Sequence, residues 1–235
     1  MDFIDFTHYF SAPRVNRYLA ASNLSEGKAI ELYKANLKIA QAFHPLIGIF
    51  EVVLRNRINA VLAIHFNDPD WILHQKMGFM IDPSLQYTYK RTGLIKTNDF
   101  LLREINKAEK RIQKTRTPIT SGRIIAEQTL GFWSDLFERH HYRLLKGKPI
   151  QIFHYLPSSY GRKEVNDELN KVRRFRNRMN HNEPICFRGN TIDFTETLEV
   201  HQSILNVLNW IDPKLIQLIL PVDKVNSEIE KAKTI

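Results

Sequence analysis

Apolar residues along most of this chain recur every three or four positions, and that regularity restricts the folds open to it. Ile47, Phe50, Leu54, Ile58 and Val61 make one such stripe. Leu101, Ile105, Ala108 and Ile112 make another, and Val165, Leu169, Val172, Phe175 and Met179 a third. A period near 3.6 puts each set on one face of a helix, and a helix with one apolar face is stable only against another element. Nine Gly in 235 residues is roughly half the usual share of about 7%, which argues against a turn-dense β fold. No convincing β-hairpin signal offsets it. The expected fold class is all-α, a helical bundle in which residues 1–235 form a single domain.

Punctuation divides the bundle. Ser11-Ala-Pro-Arg14 reads as a capped helix start leading to Val15 and Leu19, with a stop near Ser22. Ser25 caps a run with Ile30, Tyr33, Leu37 and Ala40 on one face, and Pro45 is expected to end it. Asn67-Asp-Pro-Asp70 is a turn, and residues 75–97 are mixed, with Pro83 and Gly93 as breakers. Thr117 to Gly122 reads as a loop, and Gly131 to Phe137 as a short aromatic helix. A late helix starts near residues 158–161 and stops by His181 or Asn182, because Pro184 disfavours helix at Glu183. Phe194, Leu198, Leu205 and Leu208 mark another helix, and a short amphipathic tail follows Pro213.

Charge narrows the function classes. Lys and Arg number 34 against 25 Asp and Glu, a net charge of +9 that favours an anionic partner. One Cys, Cys186, excludes an internal disulfide and a Cys-based zinc framework. No Gly-rich phosphate loop is present, so no nucleotide cofactor is expected, and no metal site is evident. The N-terminal residues lack a basic then apolar leader pattern, and Glu51 interrupts the richest apolar run, Ile47 to Leu54. These features lead to the expectation of a soluble, cytoplasmic protein with no membrane partner.

The chemistry concentrates at residues 171–184, Lys-Val-Arg-Arg-Phe-Arg-Asn-Arg-Met-Asn-His-Asn-Glu-Pro. With the apolar stripe inside, a helical wheel turns Arg174, Arg178 and His181 outward, and Asn177 lies one turn before His181 on the same side. Arg176 falls at the edge of the stripe, where a carboxylate partner is needed. An imidazole can move a proton near neutral pH, Arg carries permanent planar charge for a phosphate, and Asn can orient either without adding charge. The set suits RNA cleavage through the 2′-hydroxyl. It also suits a basic helix end that merely caps its last carbonyls.

Arg176-Asn-Arg-Met-Asn-His181 resembles the R-x(4–6)-H signature of HEPN ribonucleases, with Asn177 as the polar residue usual after the Arg. The longer run from Phe175 to Ile185 is similar to the abortive-infection (Abi) branch of that superfamily. Ser11-Ala-Pro-Arg14 with Tyr18, Leu32-Tyr33-x-x-Asn36, Glu51-Val-Val-Leu-Arg-Asn56 and Gly131-Phe-Trp133 match other family segments in order. The likeness covers residues 11–210, with N-terminal helices in 11–66 and the motif-bearing helices in 158–210. It implies a HEPN-type fold with additional N-terminal helices and a metal-independent endoribonuclease of phage-defence or toxin–antitoxin systems. Arg176, Asn177 and His181 would be its catalytic group. It further implies a homodimer with a composite active site, RNA as substrate, and room for a restraining antitoxin RNA or protein.

Arg55-Asn-Arg-Ile-Asn59 echoes Arg176-Asn-Arg-Met-Asn180, but Ala60 replaces the His. Glu51, Arg55 and Asn56 are therefore expected to support the site, with Glu51 or a neighbour placed to hold Arg176. An ordinary Glu51–Arg55 pair within one helix is the plainer reading. Arg139-His-His-Tyr-Arg143 is a basic patch whose Arg139 and Arg143 suit RNA phosphates or simply solvent. Arg174 and Arg178 are the other expected RNA contacts. Lys107, Lys110, Arg111, Lys114 and Arg116 form a charged face open to the same two readings. Phe132 and Trp133 read as core, His201 as a buried, hydrogen-bonded His, and Cys186 as a packing residue. The alternative function is a non-catalytic RNA-binding module, and a membrane-active toxin is a weaker third.

Overall fold

The structure, a computed structural model that describes residues 2–235, is 69% helix and 4% strand. The chain is all-α. It divides into two compact units, one formed by the residues up to Phe50 together with Asn170–Ile235, the other by Glu51–Leu169. Both boundaries fall inside long helices, α3 (Glu26–Phe66) and α9 (Arg162–Asn180).

The first unit holds α1 (Phe3–Phe10), α2 (Ala12–Ala21), the first part of α3 and the last part of α9. It also holds a small hairpin of β3 (Phe187–Arg188) and β4 (Thr191–Ile192), then α10 (Thr195–Ile211), α11 (Lys214–Ile219) and α12 (Val225–Ala232). Its core is aromatic. Tyr33 packs against Phe6, Phe10 and Tyr18 with ring centroids 4.9–5.1 Å apart, and Tyr18 meets Phe187 edge-on at 5.1 Å. Phe43 of α3 packs on Phe175 of α9 at 4.7 Å, which fixes the face that α9 turns inward. His201 is buried and bonded to Asp223 at 2.6 Å, as its position among apolar residues predicts.

The second unit holds the rest of α3, α4 (Trp71–His74), three short 3-10 turns, and a hairpin of β1 (Gln86–Thr88) and β2 (Ile95–Thr97). α5 (Phe100–Lys114), α6 (Ser121–Glu127), α7 (Leu130–Asp135), α8 (Arg139–Leu144), a 3-10 turn at Lys148–Ile152 and the start of α9 complete it. Leu101, Ile105, Ala108 and Ile112 are the buried stripe of α5. Phe132 and Trp133 are core, as expected. Trp71 donates its indole N–H to Asn59 Oδ1 at 2.9 Å.

Four expectations need correction. Pro45 does not end a helix, because α3 runs through it. Proline there removes the N–H that would meet the Gln41 carbonyl and costs about 3 kcal/mol, but both residues face solvent. Phe43, Leu46 and Ile47 are buried on the opposite side, each contributing about 1.5–3 kcal/mol, so burial wins. The buried face of α3 is also displaced by one residue. Asn36 is inside and Leu37 is 40% exposed, because Asn36 Oδ1 accepts the Ile185 N–H at 2.7 Å. Likewise Leu198 of α10 is exposed while Thr197 is buried. The third correction concerns hairpins, of which the described residues form two. β3 and β4 are joined by Gly189-Asn190, with Gly189 at φ +58°, a conformation natural to glycine in a two-residue turn. Finally, α6 begins at Ser121 inside the expected loop, with Thr120 Oγ1 capping the Arg123 N–H at 3.4 Å.

Candidate functional site

α9 carries the R-x4-H motif, and its sequence explains both of its ends. At the start, Glu164 reaches back to accept the Gly161 N–H at 2.9 Å, half of a capping box. That bond holds the Glu164 carboxyl below its usual range. Along the helix, Val165, Leu169, Val172, Phe175 and Met179 are all buried, as the periodicity predicts.

At the far end, Asn182 takes a left-handed conformation, φ +51°. Its N–H bonds the Met179 carbonyl at 2.9 Å, and the Glu183 N–H bonds the Arg178 carbonyl at 2.9 Å. This paired 5→2 and 6→1 closure is a Schellman motif, and it makes His181 the C-cap residue. The His181 backbone is therefore fixed at the tip of the helix, and its side chain is exposed to solvent. Asn177, one turn earlier, is exposed too, and its Oδ1 accepts from Arg176 Nη1 at 3.4 Å. Arg176 is half-buried and Arg174 exposed, matching the wheel.

Arg178 behaves differently from the outward phosphate ligand expected. It is half-buried, with Nη1 2.5 Å from Glu196 Oε2, Nε 3.7 Å from Glu183, and Nη2 donating to the Pro184 carbonyl. Its wheel position points outward, but the chain folds back after Pro184 and brings acceptors to it. Arg178 thus fastens the segment that follows the motif. Asn36 holds the next N–H, Thr197 donates to the Ile185 carbonyl, and the Cys186 thiol lies 3.9 Å from the Leu32 carbonyl. Burial pushes that thiol up to about 12, so Cys186 is a packing residue and not a nucleophile.

One further cation reaches this helix end. Arg14 Nη1 donates to the Asn182 carbonyl at 2.6 Å, across 168 positions of sequence. Ser11-Ala-Pro-Arg14 marks a helix start in the sequence, but nothing local signals that its Arg meets residue 182. Arg14 thus reaches the helix end that carries the exposed His181, and Arg174, Arg176 and Asn177 lie on the last two turns of α9 before it.

The remaining expected residues belong to the second unit. Glu51 and Arg55 are half-buried on α3, Arg55 Nε is buried without a hydrogen-bond partner, and Asn56 is exposed. Arg139 and Arg143 are exposed on α8, but the patch between them is not continuous. His141 is wholly buried, and His140 is half-buried, held below the usual His range by burial and by His141. On α5, Lys107 pairs with Glu104 at 2.7 Å and Arg111 with Glu127 at 2.8 Å, which tempers the basic face there. In comparisons with known proteins, no family model, curated protein or solved structure matches the chain.

Proposed function

We propose that the protein is an endoribonuclease of HEPN type that cleaves RNA through the 2′-hydroxyl. Its setting is the cytoplasm, as an abortive-infection or toxin–antitoxin component. The observation that carries the reading is His181, an exposed imidazole fixed at a helix C-cap beside the Arg176–Asn177 pair, with Arg14 and Arg174 at the same helix end.

In this reading His181 takes the 2′-OH proton and the 2′-oxygen attacks phosphorus. The P–O5′ bond breaks, and the departing O5′ receives a proton from an imidazolium. Arg176 meets the charge that builds on the phosphoryl oxygens, and Asn177 positions Arg176. The products carry a 2′,3′-cyclic phosphate and a 5′-hydroxyl. A homodimer supplies two copies of His181, one as base and one as acid. α3 is long and apolar enough to cross a membrane; since Phe43, Leu46, Ile47, Phe50, Leu54 and Ile58 are buried, we read it as a core helix.

Purified His181→Ala and Arg176→Ala proteins are expected to lose RNA cleavage by a factor of at least 10² while wild type cuts in EDTA. Equal cleavage by both folded variants refutes the assignment. Binding without scission by wild type favours an RNA-binding module instead.

A further inference from the structure

In the second unit, three side chains converge that the nuclease reading does not use. Asp135 ends α7, and His140 and His141 lie in the first turn of α8. One carboxylate oxygen and one ring nitrogen from each His all lie within 4.8 Å of one another. From this convergence we infer a site for one divalent transition-metal ion of the Zn2+ class, with Asp135, His140 and His141 as its protein ligands.

Polar satisfaction supports an ion over a plain ion pair. Asp135 Oδ2 lies 2.6 Å from His141 Nδ1, yet off hydrogen-bonding alignment, so neither atom has a hydrogen-bond partner. His141 Nε2 is also buried without one, in a ring with no solvent exposure. Leaving a buried polar group unmet is costly, and here three such atoms stand together. A metal ion satisfies the carboxylate and one imidazole nitrogen at once.

The donor set fits the class. Two imidazoles and a carboxylate suit Zn2+ and its neighbours and do not suit Ca2+ or Mg2+, which take oxygen ligands. Bonds of about 2.0–2.1 Å in a tetrahedron space the ligands about 3.3 Å apart. The Asp135–His141 pair at 2.6 Å must open by about 0.7 Å, and no pair need close by more than about 1.5 Å.

The surroundings supply the other parts of a site. The Asn98 amide nitrogen lies 2.5 Å from His140 Nε2; a His140 that binds metal through Nδ1 keeps its proton on Nε2, so the Asn98 amide must then turn its oxygen to accept that proton. Phe79 packs edge-on to His141 at 6.3 Å. A cavity of about 190 Å³, lined by Ser84, His140, Arg143 and Leu144, opens solvent to the His140 side of the cluster. The sequence hides the site because adjacent His residues between two Arg read as a basic surface.

Elemental analysis of tag-free protein tests this. About one Zn2+ per chain is expected after dialysis. Chelation should lower Tm, and Zn2+ should restore it. Co2+ added to the stripped protein should give the visible absorption of a tetrahedral nitrogen–oxygen site. His140→Gln, a change at a half-exposed position, should fold but bind at least tenfold less metal. A metal-free preparation with no Co2+ spectrum and the same Tm with and without Zn2+ overturns the inference, whatever the outcome for RNA cleavage.

Discussion

Arg178 and His181 stand three positions apart on one helix and do different work. Arg178 is tied to Glu196, Glu183 and the Pro184 carbonyl, whereas His181 projects its imidazole into solvent from a cap closed by backbone bonds and by Arg14 on the Asn182 carbonyl. Arg178→Ala should therefore cost about 1–3 kcal/mol, because it leaves the turn after the motif unfastened. His181→Ala should stay within about 0.5 kcal/mol of wild type. Denaturant unfolding of the two variants checks the contrast, and equal losses contradict it. At this scale the sequence was legible where a residue's role depends on its own helix. Arg174, Asn177, His181 and the five buried positions of α9 fall where the wheel puts them. It was not legible where the partner comes from elsewhere. Arg14 and Asn182 are 168 residues apart, and Asn36 displaces Leu37 from the core because its amide answers a backbone N–H at Ile185. Hydrophobicity ranks Leu37 above Asn36; only the tertiary bond reverses that order.

The element scale turns on how helices begin, continue and end. The Glu164 carboxyl sits below its usual range because it accepts the Gly161 N–H. A carboxyl depressed in the folded state stabilises above its unfolded pKa, and the gain is lost as pH falls through the folded value. Glu164→Gln should lower Tm near neutral pH, and the gap from wild type should close progressively with acidification. A gap that stays constant from neutral to acid pH counts against the cap. In α3, Pro45→Ala restores an N–H for the Gln41 carbonyl and should raise stability, by at most about 3 kcal/mol, without change in helix content by circular dichroism. A loss of stability instead means that the proline fits a bend the helix needs. The helices were legible because apolar periodicity reports burial directly. The hairpins were not, since β3 and β4 have two residues each, too few to reveal a period of two. Gly189-Asn190 was the available sign, a pair suited to a two-residue turn.

For the whole molecule, the net charge of +9 favours an anionic partner and points to no one site. Much of that charge is engaged locally, in pairs such as Lys34–Glu31, Arg111–Glu127 and Lys231–Glu228. The part that the proposed cleavage uses lies toward the end of α9 in the first unit, while the His and Asp cluster of the second unit is the proposed metal site. Those two assignments separate cleanly by experiment, because a chelator acts on one and a His181 substitution on the other. The central claim is that the cleaving groups are the protein's own side chains at that helix end. The most direct measurement is the end chemistry of an RNA oligonucleotide treated with the protein in EDTA, well below its melting temperature. Wild type should leave 2′,3′-cyclic phosphate and 5′-hydroxyl ends, and folded His181→Ala should leave the RNA intact. Cleavage by that variant at the wild-type rate, or products with 5′-phosphate ends, would contradict the central claim.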